Sequence, residues 1–375
     1  MREHTPANPG YSAATAARLP VERAWLYRPE TAWCYSHHAA ITHFNGRFFA
    51  IWSNGRQDED APGQRVLLST SADFRTWTAP APLLDAQPGR WGELVLTAAG
   101  FHQHAGRLVA YVGQYEYRPE FLENGRRRMD GNGHAGTTLR AMTTADGVTW
   151  DAPRDLGLPM IPNHAPQRLA SGRLVISGGI SFPYTDDPAG LSGWQMTGLC
   201  PPELAAEIAD DSEGIYQLRS RLNWPVALCE GSFYQTDDGV LHMLLRSETE
   251  HLYVSESQDD GATWSAPRES GFSDNATKFH FGRLPDGRFY YVGCPDPAPR
   301  YQRSPLVLSL SADGERFDRH FILADTPYPQ RADGMHKVGE YGYPVTLIHE
   351  NALHVIVSRR KEAVEVLRVP LAALE

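Results

Sequence analysis

The sequence predicts an all-β protein, a single β-propeller built from repeated four-stranded sheets. Three observations lead to this prediction. A turn motif recurs in degenerate copies, a second kind of turn precedes an apolar strand six times, and the chain has 375 residues. That length suits one propeller, because its repeats each take roughly 40 to 60 residues. We expect residues 1–22 to form an N-terminal arm and residues 23–375 to form the propeller.

The first motif is S-x-D-x-G-x-T-W at residues 257–264. Its aspartate accepts hydrogen bonds from nearby backbone, its glycine takes a positive φ, and its tryptophan fills the gap beneath the turn. Related stretches lie at residues 71–77, where the glycine is missing, at 144–150, and at 311–317, where phenylalanine replaces tryptophan. These stretches resemble the Asp-box repeats of sialidase-type β-propellers. The motif indicates a fold and not a chemistry.

The second kind of turn marks a hairpin in each repeat. Its six copies precede the apolar strands FFAIWS, LVAYVG, LVISGG, LHMLLR, FYYVGC and LHVIVS. Most of these strands run on into an Asp-box-like turn, which gives the four strands of a blade. A seventh blade could lie in residues 23–36 and be completed by residues 364–369, so spacing leaves six or seven blades open. The insertion at residues 182–225 contains a candidate short helix near residues 201–209.

Composition excludes several classes of function. The net charge is -10, which argues against nucleic acid or an anionic membrane as a partner. No secretory signal or long apolar run is visible, so the sequence predicts a cytoplasmic protein. The nucleotide-binding, serine-hydrolase and zinc-protease motifs are absent.

Candidate site residues follow from the register of the repeats. The innermost strand of a blade lines the axis, and counting back eight residues from the turn gives His38, His164 and Tyr343. The corresponding regions of the other repeats hold Glu93, Glu230, and Asn275 with Lys278. A ring of such groups is not what a hydrophobic core would contain. We expect His37 to point to the other side of its strand, as a supporting residue.

Further residues are candidates for holding an acidic substrate. Arg246 and Arg303 can grip a carboxylate with two parallel hydrogen bonds. Glu340 is a further candidate for substrate binding, and Tyr184 lies in an insertion where its ring could stack on a sugar. We predict no metal ligands and no cofactor. Axial calcium, held by carbonyl and carboxylate oxygens, is the alternative that the sequence leaves open.

Two stretches carry a more specific resemblance. Trp33-Cys-Tyr35-Ser36-His37-His38 and Asn163-His164-Ala-Pro166-Gln167 resemble α-L-rhamnosidases and L-rhamnose-α-1,4-D-glucuronate lyases. The resemblance implies a seven-bladed propeller that acts on rhamnose-capped glucuronate. It also implies a histidine as the principal catalytic residue, at His37 or His38.

The leading hypothesis is therefore β-elimination at a uronate of an acidic oligosaccharide. His38 would be the base, Arg246 or Arg303 would neutralise the carboxylate, and His164 or Tyr343 would serve as acid or support. Hydrolysis of the same linkage by a rhamnosidase is the first alternative. The others are an exo-sialidase, against which no Phe-Arg-Ile-Pro stretch precedes the first blade, and a non-catalytic glycan-binding propeller.

Overall fold

The computed structural model describes residues 5–128, 133–211 and 219–375. The first four residues of the expected arm lie outside these ranges, as does part of the insertion at residues 182–225. Strands dominate, and α1 spans Pro202–Asp211, where the sequence predicted a helix. In the described ranges, no helix has the length and apolar character needed to cross a membrane. The strands in chain order are β1 (Ala17–Arg18), β2 (Glu22–Tyr27), β3 (Tyr35–Phe44), β4 (Arg47–Gly55), β5 (Arg65–Ser71), β6 (Ala81–Leu84), β7 (Val95–His104), β8 (Arg107–Tyr117), β9 (Leu122–Glu123), β10 (Arg126–Arg127), β11 (His134–Thr144), β12 (Arg154–Asp155), β13 (Gln167–Arg168), β14 (Leu174–Val175), β15 (Tyr184–Thr185), β16 (Leu228–Gln235), β17 (Leu241–Ser247), β18 (His251–Ser257), β19 (Arg268–Ser273), β20 (His280–Arg283), β21 (Phe289–Gly293), β22 (Leu306–Ser311), β23 (Phe317–Ala324), β24 (Tyr341–His349), β25 (Ala352–Arg359) and β26 (Ala363–Pro370).

The strands form successive antiparallel sheets along the chain. The first is β3-β4-β5-β6, the second β7-β8-β11-β12, the third β13-β14-β15 and the fourth β16-β17-β18-β19. The fifth is β20-β21-β22-β23 with β1 added in parallel, and the sixth is β24-β25-β26 with β2. Strands β9 and β10 form a separate ribbon. Each of the six predicted hairpins is present, as the first two strands of one of these sheets.

The chain ends meet in the sixth sheet. Strand β2 pairs antiparallel with β26, so the stretch considered for a seventh blade joins the sheet of the last repeat instead. The preceding segment contacts two sheets: β1 pairs with β23 of the fifth, and Ala7 bridges to Arg316, just before β23, and to Gly271 in β19 of the fourth. The N-terminal segment is thereby tied to sheets that the C-terminal part of the chain forms.

Apolar clusters join each sheet to the next and the last sheet to the first. One cluster connects the first and second sheets, and others connect the second to the third, the third to the fourth and the fourth to the fifth. Two more connect the fifth to the sixth and the sixth back to the first. The sheets therefore form a ring, and their first strands lie on its inner side.

The Asp-box turns have the structure that their sequence predicts. Asp259 Oδ1 accepts a hydrogen bond from the Thr263 N–H at 2.8 Å, and Trp264 Nε1–H donates to the Gly261 carbonyl at 3.1 Å. Gly261 has a φ of 83°. In the copy that lacks glycine, Phe74 takes the same left-handed conformation, with a φ of 67°. The turn therefore keeps its geometry without glycine, although a positive φ is strained for phenylalanine.

Candidate active site at the centre of the ring

Four of the innermost strands shift their pairing register: β7 does so between Ala98 and Gly100, and the other three do so beside the candidate site residues. The pairing register shifts after His37 in β3, between Cys229 and Gly231 in β16, and after Gly342 in β24. At these bulges His38, Glu230 and Tyr343 have φ values of 52°, 54° and 54°. Such conformations are uncommon for residues other than glycine and are often found at functional sites.

The bulges bring a tyrosine, a glutamate and an arginine from different sheets into contact. The Tyr343 hydroxyl donates a short hydrogen bond to Glu230 Oε1, and Arg246 Nη1 donates to Glu230 Oε2 at 2.7 Å. Burial raises the pKa of Tyr343 well above its usual value, and the adjacent Glu230 carboxylate raises it further. Burial also favours a higher pKa for Glu230, but Arg246, Tyr343 and Arg303 together lower it to about 2. The pair is therefore a neutral phenol beside an ionised carboxylate.

Two further cations lie against the tyrosine ring. The Lys278 ammonium is 5.3 Å from the Tyr343 ring centroid, and the Arg303 guanidinium carbon is 5.7 Å from it. Both residues are only 3% exposed. Burial lowers the pKa of Lys278 to about 8, although Glu230 favours its charged form. Arg303 Nη2 donates to the Ala276 carbonyl at 3.0 Å, while its Nε and Nη1 have no partner among the described residues.

The rings of the two adjacent histidines both lie beside Tyr343, so His37 does not point away from the site as we expected. Their ring centroids are 4.6 Å apart, and His37 lies 4.0 Å from the Tyr343 ring. The cause is the bulge, because an extra residue in a strand re-aims the side chains beside it. His37 is thus part of the site itself.

Hydrogen bonds of neighbouring serines assign the protons of these imidazoles. The Ser358 hydroxyl donates to the Gly342 carbonyl at 3.2 Å, so His37 Nδ1–H donates to Ser358 Oγ at 2.7 Å. His37 Nε2 is then an unprotonated nitrogen, buried and without a partner in the described part of the chain.

His38 has the opposite tautomer. Ser53 Oγ accepts the Ala98 N–H at 3.0 Å, and the one acceptor that its buried hydroxyl contacts in the described part of the chain is His38 Nδ1 at 3.1 Å, so we assign the hydroxyl as the donor to this nitrogen. The proton of His38 therefore lies on Nε2. Burial lowers the pKa of His38 to about 3, which keeps the ring neutral at physiological pH.

Sequence reasoning missed three residues beside this cluster. Glu59 lies in the loop after β4, where its two oxygens each accept a hydrogen bond from Lys361 Nζ at 2.6 Å. Burial raises the pKa of Asp60, the next residue in the chain. The signal available in the sequence was the acidic run at residues 58–60, directly after an inner hairpin.

Glu59 and the histidine pair also form the one group of possible metal ligands found among the described residues. One ligand atom each from His37, His38 and Glu59 lies within 4.8 Å of the others. The Lys361 ammonium already occupies both Glu59 oxygens, and the pKa of His37 is lowered first by burial and then by His38, Lys361, Arg303 and Lys278. The positive charges of Lys361, Lys278 and Arg303 oppose binding of a divalent metal ion at this group.

The other predicted site residues lie elsewhere. His164 lines a cavity on the axis and stacks on His280 with centroids 4.6 Å apart. Glu93 forms an exposed ion pair with Arg56 at 2.7 Å. Glu340 accepts hydrogen bonds from Arg360 and from the Tyr328 N–H. The Tyr184 hydroxyl donates a hydrogen bond to the side chain of Gln195. None of the contacts among described residues joins Glu93, Glu340 or Tyr184 to the Tyr343 cluster.

Comparison with known families identifies the class of protein. The model of the BNR repeat-like domain matches residues 46–355, which is most of the chain. The chain therefore belongs to the family of BNR repeat-like proteins. A search of curated protein sequences gave no match.

Solved structures define the fold more closely as sialidase-like. An uncharacterised protein from Dyadobacter fermentans is 17% identical with a TM-score of 0.64, and the match covers 93% of this chain and 99% of that one. The Trypanosoma rangeli sialidase in complex with sialic acid is 14% identical with a TM-score of 0.61, covering 96% of this chain and 60% of that one. A further structure, described as a sialidase, is 20% identical with a TM-score of 0.62; the match covers 95% of this chain but only 33% of that longer one. At these identities the likeness concerns the fold.

Proposed function

We propose that this protein is a retaining glycosidase for glycans that end in an acidic sugar, with Tyr343 as the nucleophile. The observation that carries this proposal is the hydrogen bond from the Tyr343 hydroxyl to Glu230. A phenol whose pKa is raised by burial is a weak nucleophile, and it needs a base in contact to remove its proton. Sialidases are the glycosidases that use a tyrosine in this way.

The proposed reaction conserves all atoms in two steps. Tyr343 Oη bonds to the anomeric carbon while its proton passes to Glu230, and the glycosidic bond breaks as its oxygen takes a proton from an acid. Water then attacks the same carbon, returns a proton to the conjugate base of that acid, and displaces Tyr343, which regains its proton from Glu230. Two displacements at one carbon retain its configuration.

The charges around the tyrosine favour an acidic sugar. Lys278, Arg246 and Arg303 surround Tyr343, and Glu230 is the carboxylate that contacts its hydroxyl. A neutral phenol also approaches a carbon next to a carboxylate with less repulsion than a carboxylate nucleophile would. One solved structure of similar fold is a sialidase in complex with sialic acid, which is a sugar of this kind.

Asp60 is the proposed acid for the leaving group. Its pKa is raised by burial, which suits a group that must hold a proton until the bond breaks. Glu59 is less suited to this role, because Lys361 holds its carboxylate in an ion pair.

Elimination at rhamnosyl-glucuronate is the second candidate. The observation that favours it is the unprotonated Nε2 of His37, whose ring packs against Tyr343. His38, the base proposed from sequence, has its Nε2 protonated and its Nδ1 bonded to Ser53, so it has no free nitrogen to accept a proton. His37 itself is 0% exposed, which makes it a poorly placed base for a substrate.

Activity measurements on the wild-type protein and a tyrosine variant test the proposal. We expect aryl glycosides of N-acetylneuraminate or another acidic sugar to be cleaved, and neutral aryl glycosides to be left intact. Tyr343→Phe should lower kcat/KM by on the order of 10³-fold or more, since it removes the nucleophile. Tyr341→Phe is the matched control, because its buried hydroxyl on the same strand bonds to the Thr326 carbonyl at 3.1 Å, away from Glu230.

The same assay includes oligosaccharides that end in rhamnosyl-glucuronate, with free rhamnose and ultraviolet absorbance followed together. Rhamnose released with the absorbance of an unsaturated uronate would establish elimination and refute the tyrosine mechanism. Rhamnose released without it would establish a rhamnosidase. Cleavage of no glycan in the panel would contradict the enzymatic proposal and favour a glycan-binding propeller.

A further inference from the structure

A polar cavity lies on the axis of the ring, next to the tyrosine cluster. Its volume is about 150 Å³, enough for about five water molecules at about 30 Å³ each. The inner strands of several sheets line it, and its polar wall contains His38, His164, Lys278 and His280.

The wall of this cavity has a cation with no bonded counter-charge. Lys278 is 3% exposed, and no hydrogen bond or ion pair to its ammonium occurs in the described ranges. The nearby Glu230 is already bonded to Tyr343 and Arg246. A buried ammonium without a partner is costly, so this position favours an anion from outside the chain.

Neutral imidazoles add hydrogen-bond donors to the same wall. His38 has its proton on Nε2, as its contact with Ser53 requires. His280 has the same tautomer, because its Nδ1 accepts the Thr346 N–H at 3.0 Å. Its Nε2 therefore carries the proton and makes no hydrogen bond with the Gln167 amide nitrogen 3.4 Å away, because both nitrogens are donors; both residues line the cavity.

The lining also discriminates by charge. Among the described residues that line the cavity there is no aspartate and no glutamate. A cation would meet Lys278 without a compensating carboxylate, whereas an anion would meet an ammonium and two N–H donors. The volume fits one small anion with a few waters better than a whole sugar.

We propose that this axial cavity is a binding site for a small monoanion, such as a halide or a carboxylate, held by Lys278 with the Nε2–H groups of His38 and His280. The occupant is either a free ion or the carboxylate of a bound acidic sugar. Because Lys278 also lies against the Tyr343 ring, an anion here would reduce the positive charge that the tyrosine experiences. The site exists whether or not the glycosidase reaction takes place.

Direct binding measurements test the site in the full chain. Sodium acetate and sodium bromide are titrated by calorimetry at constant ionic strength, and crystals soaked in bromide are examined by anomalous scattering. We expect one saturable site per chain and a bromide peak beside Lys278. Lys278→Met should weaken acetate binding by about tenfold or more, since it removes a charge-assisted hydrogen bond.

Two other variants separate a lost site from a damaged fold. His280→Phe keeps the ring that stacks on His164 but removes the donor, and it should weaken binding severalfold. Arg283→Gln lies on the same strand, where its exposed side chain pairs with Asp237, and it should bind as the wild type does. Absence of saturable binding, a bromide peak elsewhere only, or equal affinity in Lys278→Met and the wild type would overturn the proposal.

Competition identifies the occupant. If N-acetylneuraminate displaces bromide from the site, the carboxylate of the sugar is the ligand. If both bind together, the ligand is a free ion. Failure of the glycosidase assays together with intact bromide binding would refute the proposed reaction and leave the anion site standing.

Discussion

Replacing Asp274 by asparagine should stabilise the folded protein more at pH 8 than at pH 5. Asp274 is 1% exposed, and neither of its carboxylate oxygens has a hydrogen-bond partner among the described residues. Burial raises its pKa from 3.8 to about 7, which outweighs the opposite effect of Arg246 and Arg303. The charged form is therefore costly in the folded state.

The magnitude follows from proton linkage. Below pH 3.8 both the folded and the unfolded state hold the proton, so Asp274 has no effect on the pH dependence. Between pH 3.8 and about 7 only the unfolded state releases it, so the free energy of unfolding falls as pH rises, and the loss is complete above pH 7. From pH 5 to pH 8 this amounts to about two pKa units, or about 2.7 kcal/mol.

Urea denaturation of the wild type and Asp274→Asn at both pH values measures this difference. We expect the variant to gain about 2 to 3 kcal/mol relative to the wild type between pH 5 and pH 8. Asp286→Asn is the control, because Asp286 is an exposed partner of Arg288 and should show no such gain. An equal effect of Asp274→Asn at the two pH values would show that the carboxyl is ionised throughout and would refute the reasoning.

Two further predictions concern stability. Lys337→Met should cost about 3 to 5 kcal/mol, because Lys337 and Glu362 form a wholly buried ion pair at 2.8 Å and the glutamate would lose its counter-charge. The double variant Lys337→Met/Glu362→Gln should recover much of this loss in chemical denaturation, and strictly additive effects would contradict a coupled pair. Asp259→Ala should cost about 1 to 3 kcal/mol in the same measurement, since it leaves donors of the Asp-box turn unpaired. Gln258→Ala, an exposed change in that turn, should have little effect, and a similar loss in both variants would refute the role given to the aspartate.

The sequence by itself determined the repeat and the identity of most residues at the axis. Each hairpin and each Asp-box turn depends on contacts within about ten residues, so a local pattern is enough to predict it. Counting back from the turns selected His38 and Tyr343, and the same register pointed to Glu230 and Lys278. The structure brings these four residues, which come from different sheets, around one centre.

Only the tertiary structure decided how these residues act on one another. The bulge in β3 turns His37 toward Tyr343, and a bulge depends on pairing with a partner strand, which strand periodicity does not show. The loop residues Glu59 and Asp60 have no periodic pattern that would place them beside the axis. Proton positions on His37 and His38 follow from serines on other strands. These are contacts through space, and they underlie our proposal that Tyr343 and Glu230, rather than a histidine, carry out the reaction.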